Sequence, residues 1–588
     1  MIPGGAFLTS PIGEKPVFSP ENFSEEQKEF AQAAEEFARS EIYSHKDQIE
    51  TLDEGLTRRL IRMCGELGFL GIDIPEAYGG LGQPKATAAL VTEKLAYGQS
   101  ESFMVTYSVQ TGIGILPIVY FGTDSQKELY LPKLVSGEWI SAYALTEPGS
   151  GSDALSIRTT ARFSEAENVY ILNGQKQFIS NGSWANVLIT FAKIDGEKLT
   201  GFLIDPRTDG VVIHEEKNKL GLHGSSTANI ILENVRVPKE NVLGSIGKGA
   251  EIAFNTLDIG RFKLGAAVLG GSKNTISASV NYALERRQFG QPIAYFEAIK
   301  KKIADMTLRS FALESIVYET AGCLDQSIAE VNPDSPTYPA EVANAIEKYA
   351  MECSICKVHG SETLWQNSDD GLQIFGGYGF IEDYPLARIM RDTRVDRLYE
   401  GTNEINRQII LGYLLKKTLL EEVPIREKIK EIPHLLKGQV SLPKHDILSR
   451  ETAALEWGKF LLLYVVNQAL IQYGQDIQQK QQIGEWISDM IIHLFVVNTV
   501  LSRILQHGKN SDIGEELLAA GAVITAESML ELTKLAHLSL CSLLKNKPLK
   551  KALSDLQKFR QQMTLDTDIS ELKNKIADLV YKQKQYPF

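Results

Sequence analysis

The sequence predicts an α+β multidomain protein: an N-terminal helical domain, a central antiparallel β domain, a C-terminal helical bundle and an additional helical domain. Three observations carry that prediction. Apolar residues recur at helical spacing up to about residue 137 and again from Gly249 onward. Between Glu138 and Gly244 the pattern changes to short β-type runs separated by Gly, Asn, Asp and Pro. At 588 residues the chain is also too long for one core.

Taken in order, residues 1–23 are Pro- and Gly-rich and read as an irregular lead. Ser24 with Gln27 forms a capping-box pattern, and Phe30, Ala34 and Phe37 give the following helix an apolar stripe. Helical patterns fill 24–137. The β domain spans 138–244, with runs such as YILNGQKQFIS and TANIILENVRV. Helical periodicity returns over 245–418. A charged stretch with three prolines, 419–445, reads as a solvated linker whose short apolar side suits at most a peripheral membrane contact. Residues 446–588 are helical again, as in EWISDMIIHLFVVNTVLSRILQHG.

Composition narrows the function. The chain is 43% hydrophobic and 23% charged, with a net charge of −13, so no global basic field favours nucleic acid. Five cysteines make no disulfide framework, and Cys353 and Cys356, a lone C-x-x-C in a helical pattern, read as small apolar helix residues with no metal role. No signal or transit pattern and no run of about 18 apolar residues stands out, so a cytoplasmic protein is expected.

Five motifs carry chemistry. In RIMRDTRVDRLYEGTNEINR, Glu400 sits between the apolar ring of Tyr399 and the Gly401–Thr402 step, with Thr402 placed to cap a helix. A carboxylate in such a turn can be desolvated and tuned as a general base. TEPGSGSD, Thr146 to Asp153, has the backbone freedom and hydroxyls to wrap a polar ring or a phosphate, or to be a plain turn. In KQFISNG, strand alternation puts Phe178 and Ser180 on one face, either flanking a planar cofactor or packing across strands. In RRQFG, Arg286 and Arg287 suit a pyrophosphate or a helix C-terminus. The glycines of QIFGGYGF permit a close ligand approach or a tight junction.

In this order, over a helix–sheet–helix organisation, the five motifs resemble the acyl-CoA dehydrogenase family across residues 24 to 415, and the extra helical segment resembles its very-long-chain branch. The resemblance implies FAD between the β domain and the second helical domain. It assigns Tyr143, Leu145, Thr146, Gly151, Ser152, Phe178, Ile179 and Ser180 to the flavin, with Phe178 and Ser180 standing where the family often has Trp and Thr. It assigns Arg286, Gln288, Phe289, Gln373, Gly376 and Gly377 to the pyrophosphate and adenine, partly across a homodimer interface. Thr402, Asn403 and Glu404 complete the cofactor site, while Ser152, Asp258, Arg261, Glu400 and Gly401 meet the acyl-CoA substrate. Glu400 is the implied base. Some branches carry the base near positions 260–261, which here are Gly260 and Arg261.

The implied reaction is α,β-dehydrogenation of acyl-CoA in fatty acid β-oxidation, with electrons passing to an electron-transferring flavoprotein. A scaffold role and an oxidase-like variant are the alternatives. VTYSVQTGI, Val105 to Ile113, should border the acyl tunnel; its compact, uncharged Val105 and Val109 favour long chains.

Overall fold

The structure is a computed structural model that describes residues 3–588. Short helices occupy the first quarter, from Glu25–Phe37 to Asp124–Val135. Local chemistry sets their starts. Ser24 Oγ accepts from Gln27 N at 3.2 Å while Gln27 Oε1 accepts from Ser24 N at 3.0 Å, and Thr123 with Gln126 repeats the device.

Eight strands follow: β1 Ser141–Ala144, β2 Thr160–Ser164, β3 Val169–Ser180, β4 Val187–Ile194, β5 Lys198–Ile204, β6 Val211–Glu215, β7 Thr227–Pro238 and β8 Val242–Leu243. Their order is β6-β7-β3-β2-β4-β5-β8, with β1 also on β4. The sheet is not purely antiparallel. β4 runs parallel to both β1 and β2, with Ser141 opposite Val187 and Thr160 opposite Lys193. No hairpin joins β4 to either partner, so nothing in the connection forces a reversal of direction.

Long helices form the next layer: Gly249–Glu285, Glu297–Ala329, Ala350–Phe375 and Asn403–Leu419. Helices Ser449–Tyr473, Gln481–His507, Gly514–Leu543, Asn546–Met563 and Ile569–Gln583 continue from them. One apolar core joins both sets, with Phe262, Phe311, Leu414, Leu461 and Val497 all buried in it. The irregular lead straps this seam. Gly5 N donates to Glu352 Oε1 at 2.6 Å on one side, and Ile12 N donates to Glu456 Oε1 at 3.0 Å on the other.

Two expectations change here. The linker contains a helix, Ile425–Leu435, with Ile425, Ile432 and Leu435 buried. Leu436, Val440 and Leu442 are partly buried against the core, so the stretch is a packed segment rather than a solvated linker. Secondly, two helical stretches, Glu101–Phe121 and Gln481–His507, are long and apolar enough to cross a membrane; they lie 89% and 83% buried in the fold, as core helices do.

Candidate active site

A cavity of about 340 Å³ opens where the sheet meets the helices Glu101–Val109 and Gly249–Glu285 and the turn before Asn403–Leu419. Of the residues singled out in the sequence it gathers Tyr143, Leu145, Thr146, Gly151, Ser152, Phe178, Ile179, Ser180, Arg261, Glu400 and Gly401.

Glu400 occupies a left-handed turn, φ 57°, followed by Gly401 at φ 80°. A left-handed backbone is uncommon for a side-chain-bearing residue and needs the surroundings to hold it. Three groups do so. Arg261 Nε donates to the Glu400 carbonyl at 3.2 Å, Asn406 Nδ2 donates to the Gly401 carbonyl at 2.8 Å, and Lys357 Nζ donates to that same carbonyl at 2.8 Å. Thr402 Oγ1 caps the next helix, accepting from Ile405 N at 3.3 Å as its position suggested.

The Glu400 carboxylate itself is left bare. Its Oε2 is buried with no hydrogen-bond partner among the described residues. Burial pushes its pKa up to about 7, against the opposing pull of the Arg261 and Lys357 cations. Gly260 makes the space: a Cβ there would stand 2.8 Å from Glu400 Oε2. Asp258 does not line the cavity. It accepts from Arg261 Nη1 at 2.7 Å and so orients that guanidinium, while burial lifts its own pKa to about 7.

The opposite wall is anchored by a different buried carboxylate. Glu147 Oε1 accepts from Lys176 Nζ at 2.7 Å and from Thr159 Oγ1 at 2.5 Å, and its Oε2 accepts from Arg158 N at 2.6 Å. This ties the Thr146–Asp153 loop to β3. The face alternation expected around Phe178 does not hold. The register slips between Lys176 and Ile179, Phe178 takes φ 59°, and Phe178, Ile179 and Ser180 all reach the cavity. A β-bulge re-aims side chains in this way.

The remaining predicted residues lie elsewhere. Arg286, Gln288, Phe289, Gln373, Gly376 and Gly377 are absent from the cavity wall. Arg286 stands 5.5 Å from the Tyr378 ring, and Phe289, at the tip of a hairpin, is 93% exposed. Thr402, Asn403 and Glu404 do not line the cavity either. Asn403 is buried beneath the turn, and Glu404 is exposed.

Sequence reading missed several participants. Lys357 and Asn406 brace the Glu400 turn, and Asp396 lines the cavity, accepting from Tyr399 OH at 2.5 Å. Lys263 also lines it, so the acyl wall is not uncharged; its Nζ donates to the Thr111 carbonyl at 2.9 Å and lies 3.6 Å from Asp73 Oδ1. Single charged residues inside helical patterns give no local signal of this. In the arginine run before Glu400, Arg388 pairs with Asp47 at 2.8 Å and Arg391 with Glu382, while Arg394 lies 5.8 Å from the Trp365 ring.

The chain is similar to known proteins along its length. Models of the N-terminal, middle and C-terminal domains of acyl-CoA dehydrogenase match residues 24–138, 142–235 and 247–415. A probable acyl-CoA dehydrogenase of Bacillus subtilis (strain 168) is 38% identical over 586 residues, covering 99% of this chain and 98% of that protein. The chain belongs to the acyl-CoA dehydrogenase family. The human mitochondrial very long-chain specific acyl-CoA dehydrogenase is 34% identical over 470 residues, 74% of this chain and 68% of that protein. A crystal structure of an acyl-CoA dehydrogenase complexed with FAD from Bacillus anthracis covers 100% of both chains, with TM-score 0.96 and 38% identity. The additional C-terminal helices are therefore part of a fold shared along its whole length.

The chain is accordingly an FAD-dependent oxidoreductase of this family. Its residues fit the cofactor. Among the described residues nothing beyond the chain neighbours stands within 4 Å of a Cβ placed on Gly149, Gly151, Gly376 or Gly377, which leaves room for a ligand against each backbone. The Phe178 ring is 59% exposed at the mouth of the cavity, available for stacking.

Proposed function

We propose that the protein dehydrogenates long-chain acyl-CoA thioesters to trans-2-enoyl-CoA, with Glu400 removing the α-proton. One observation carries this reading: of the two carboxylates with a buried, unpartnered oxygen in this cavity, Asp396 is held through its other oxygen by Tyr399 OH, whereas the Glu400 carboxylate accepts no hydrogen bond among the described residues. A carboxylate with a pKa of about 7 holds a proton far better than an exposed one and is still ionised in a large fraction near neutral pH.

The chain's own groups supply most of the environment. Thr146, Ser152 and Ser180 offer hydroxyls beside the Phe178 ring, and Arg261 with its partner Asp258 marks the CoA end. In this reading the Glu400 backbone N–H donates to the thioester carbonyl and stabilises negative charge as the α-proton leaves. The α-proton goes to the Glu400 carboxylate; the β-hydrogen leaves with its electron pair. When bound, FAD supplies the two-electron acceptor for that hydride.

Val105, Val109, Ile113, Leu264 and Val268 extend the wall away from Glu400 and support a long acyl chain. The exposed Phe289 and Arg286 support a grip on the FAD adenine and pyrophosphate completed by a second subunit, hence a homodimer. A role in β-oxidation with an electron-transferring flavoprotein as acceptor completes the proposal.

Anaerobic bleaching of the flavin spectrum by acyl-CoAs of increasing length tests cofactor, reaction and substrate range together. Bleaching is expected to be fastest with long chains and lost in Glu400→Gln. Equal bleaching in that variant would remove Glu400 from its role, and no bleaching by any acyl-CoA would favour the scaffold alternative.

A further inference from the structure

The helix that begins just after Glu400, Asn403–Leu419, is held from behind by the additional C-terminal helices. Gly484, on Gln481–His507, lets Leu411 close: a Cβ on Gly484 would meet Leu411 Cδ2 at 2.8 Å. Ser488 Oγ donates to the Arg407 carbonyl at 2.6 Å. Asp489 Oδ1 accepts from Arg407 Nε at 2.7 Å.

From Arg407 a polar chain leads back to the catalytic turn. Arg407 Nη1 donates to Glu362 Oε1 at 3.0 Å, and Asn403 Nδ2 donates to the same oxygen at 3.1 Å. Asn403 Oδ1 accepts from Lys357 Nζ at 2.7 Å, and Lys357 Nζ donates to the carbonyl of Gly401, the residue after Glu400, at 2.8 Å. Each link is charged on at least one side, and such bonds are short, directional and costly to break when buried. Lys357 is fully buried, so its two partners fix where the ammonium can sit.

We propose that Asp489, in the additional C-terminal helices, is a positioning residue for Glu400, acting through Arg407, Glu362, Asn403 and Lys357. This rests on the reading of Glu400 as the base. Arg407 bridges two carboxylates on different elements with one planar guanidinium, Glu362 on Ala350–Phe375 and Asp489 on Gln481–His507. Without the Asp489 anchor, Arg407 keeps only Glu362, and Glu362 must then hold both Arg407 and Asn403 unaided. The Gly401 carbonyl and the left-handed Glu400 turn lose definition together. A base displaced by a fraction of an ångström still admits substrate but meets the α-hydrogen less often.

The experiment compares wild type, Asp489→Asn, Asp489→Glu, Lys357→Met and the Asp489→Asn/Lys357→Met double variant as FAD-loaded full-length proteins. It measures flavin content, KM and the anaerobic rate of flavin reduction by saturating long-chain acyl-CoA. Asp489→Asn is expected to reduce its flavin about tenfold more slowly, with unchanged flavin content and KM, and Asp489→Glu to recover most of the rate. The double variant should be no slower than Lys357→Met alone, because both substitutions cut one chain. If Asp489→Asn does not fold, Glu362→Gln tests the next link by the same readouts. A wild-type rate in Asp489→Asn, or a double variant slowed by the product of the two single effects, overturns the proposal. A Glu400→Gln variant that still reduces its flavin would instead overturn the reading beneath it, so the two failures are told apart.

Discussion

Two glutamates have opposite fates, Glu400 in the cavity wall and Glu147 holding the Thr146–Asp153 loop behind it. Glu147 receives Lys176, Thr159 and the Arg158 amide; burial alone would raise its pKa, but these donors more than offset that and hold it below the usual carboxylate value. Glu400 Oε2 is buried too, yet it receives nothing from the described residues, and the nearby Arg261 and Lys357 donate to backbone carbonyls of the turn. Its pKa is therefore raised to about 7. The difference teaches that burial does not make a carboxylate reactive. Burial with the donors withheld does, and the donors at Glu400 are spent on holding the backbone.

Breaking the reactive member should have the largest effect. Glu400→Gln is expected to lower turnover on the order of 10³-fold while flavin content and melting temperature hold, read by steady-state assay and thermal denaturation. Breaking the structural member should do the reverse. Lys176 is fully buried, and Lys176→Met leaves the Glu147 charge uncompensated; a loss of about 3 kcal/mol in unfolding free energy is expected from denaturant titration. Filling the space before Glu400 is a gentler test. Gly260→Ala puts a methyl against Glu400 Oε2 and should slow flavin reduction about tenfold with FAD still bound, as followed by stopped flow.

The smallest effect expected is on acid stability. Glu147, lowered in the folded protein, contributes stability that is present above the unfolded carboxylate pKa and lost as pH falls through its folded value. Melting temperature should therefore fall more steeply from pH 5 to pH 3 in wild type than in Glu147→Gln. Parallel curves would show that the donors around Glu147 do not favour its charged form.

Much of this was legible in the chain because it is local. The switch from helical to strand periodicity, the Ser24 and Thr402 caps and the Tyr399-Glu400-Gly401 turn each depend on near neighbours in sequence. Lys357 and Asp489 were not legible. Lys357 lies inside a helical pattern far upstream of Glu400, and only tertiary packing brings its ammonium to Gly401. Lys263 read as one more helix charge, and only the fold turns it inward. The helix Ile425–Leu435 was hidden by prolines that read as breakers; Pro424 stands just before its start, and Pro433 lies near its end. The parallel pairings of β4 are long-range choices that no run of residues announces. The Phe178 bulge likewise arises from pairing against β7.

The pH dependence of kcat/KM for long-chain acyl-CoA tests the central claim most directly, because it reports groups in the free enzyme. Protonated Glu400 cannot accept the α-proton, so activity must fall as pH drops through its pKa. The account predicts an acid limb centred near pH 7, where burial places that carboxyl, and the same limb in Asp396→Asn, which removes the other cavity carboxyl raised to about 7. A profile flat down to pH 5, with its limb at the ordinary carboxylate value, would contradict it.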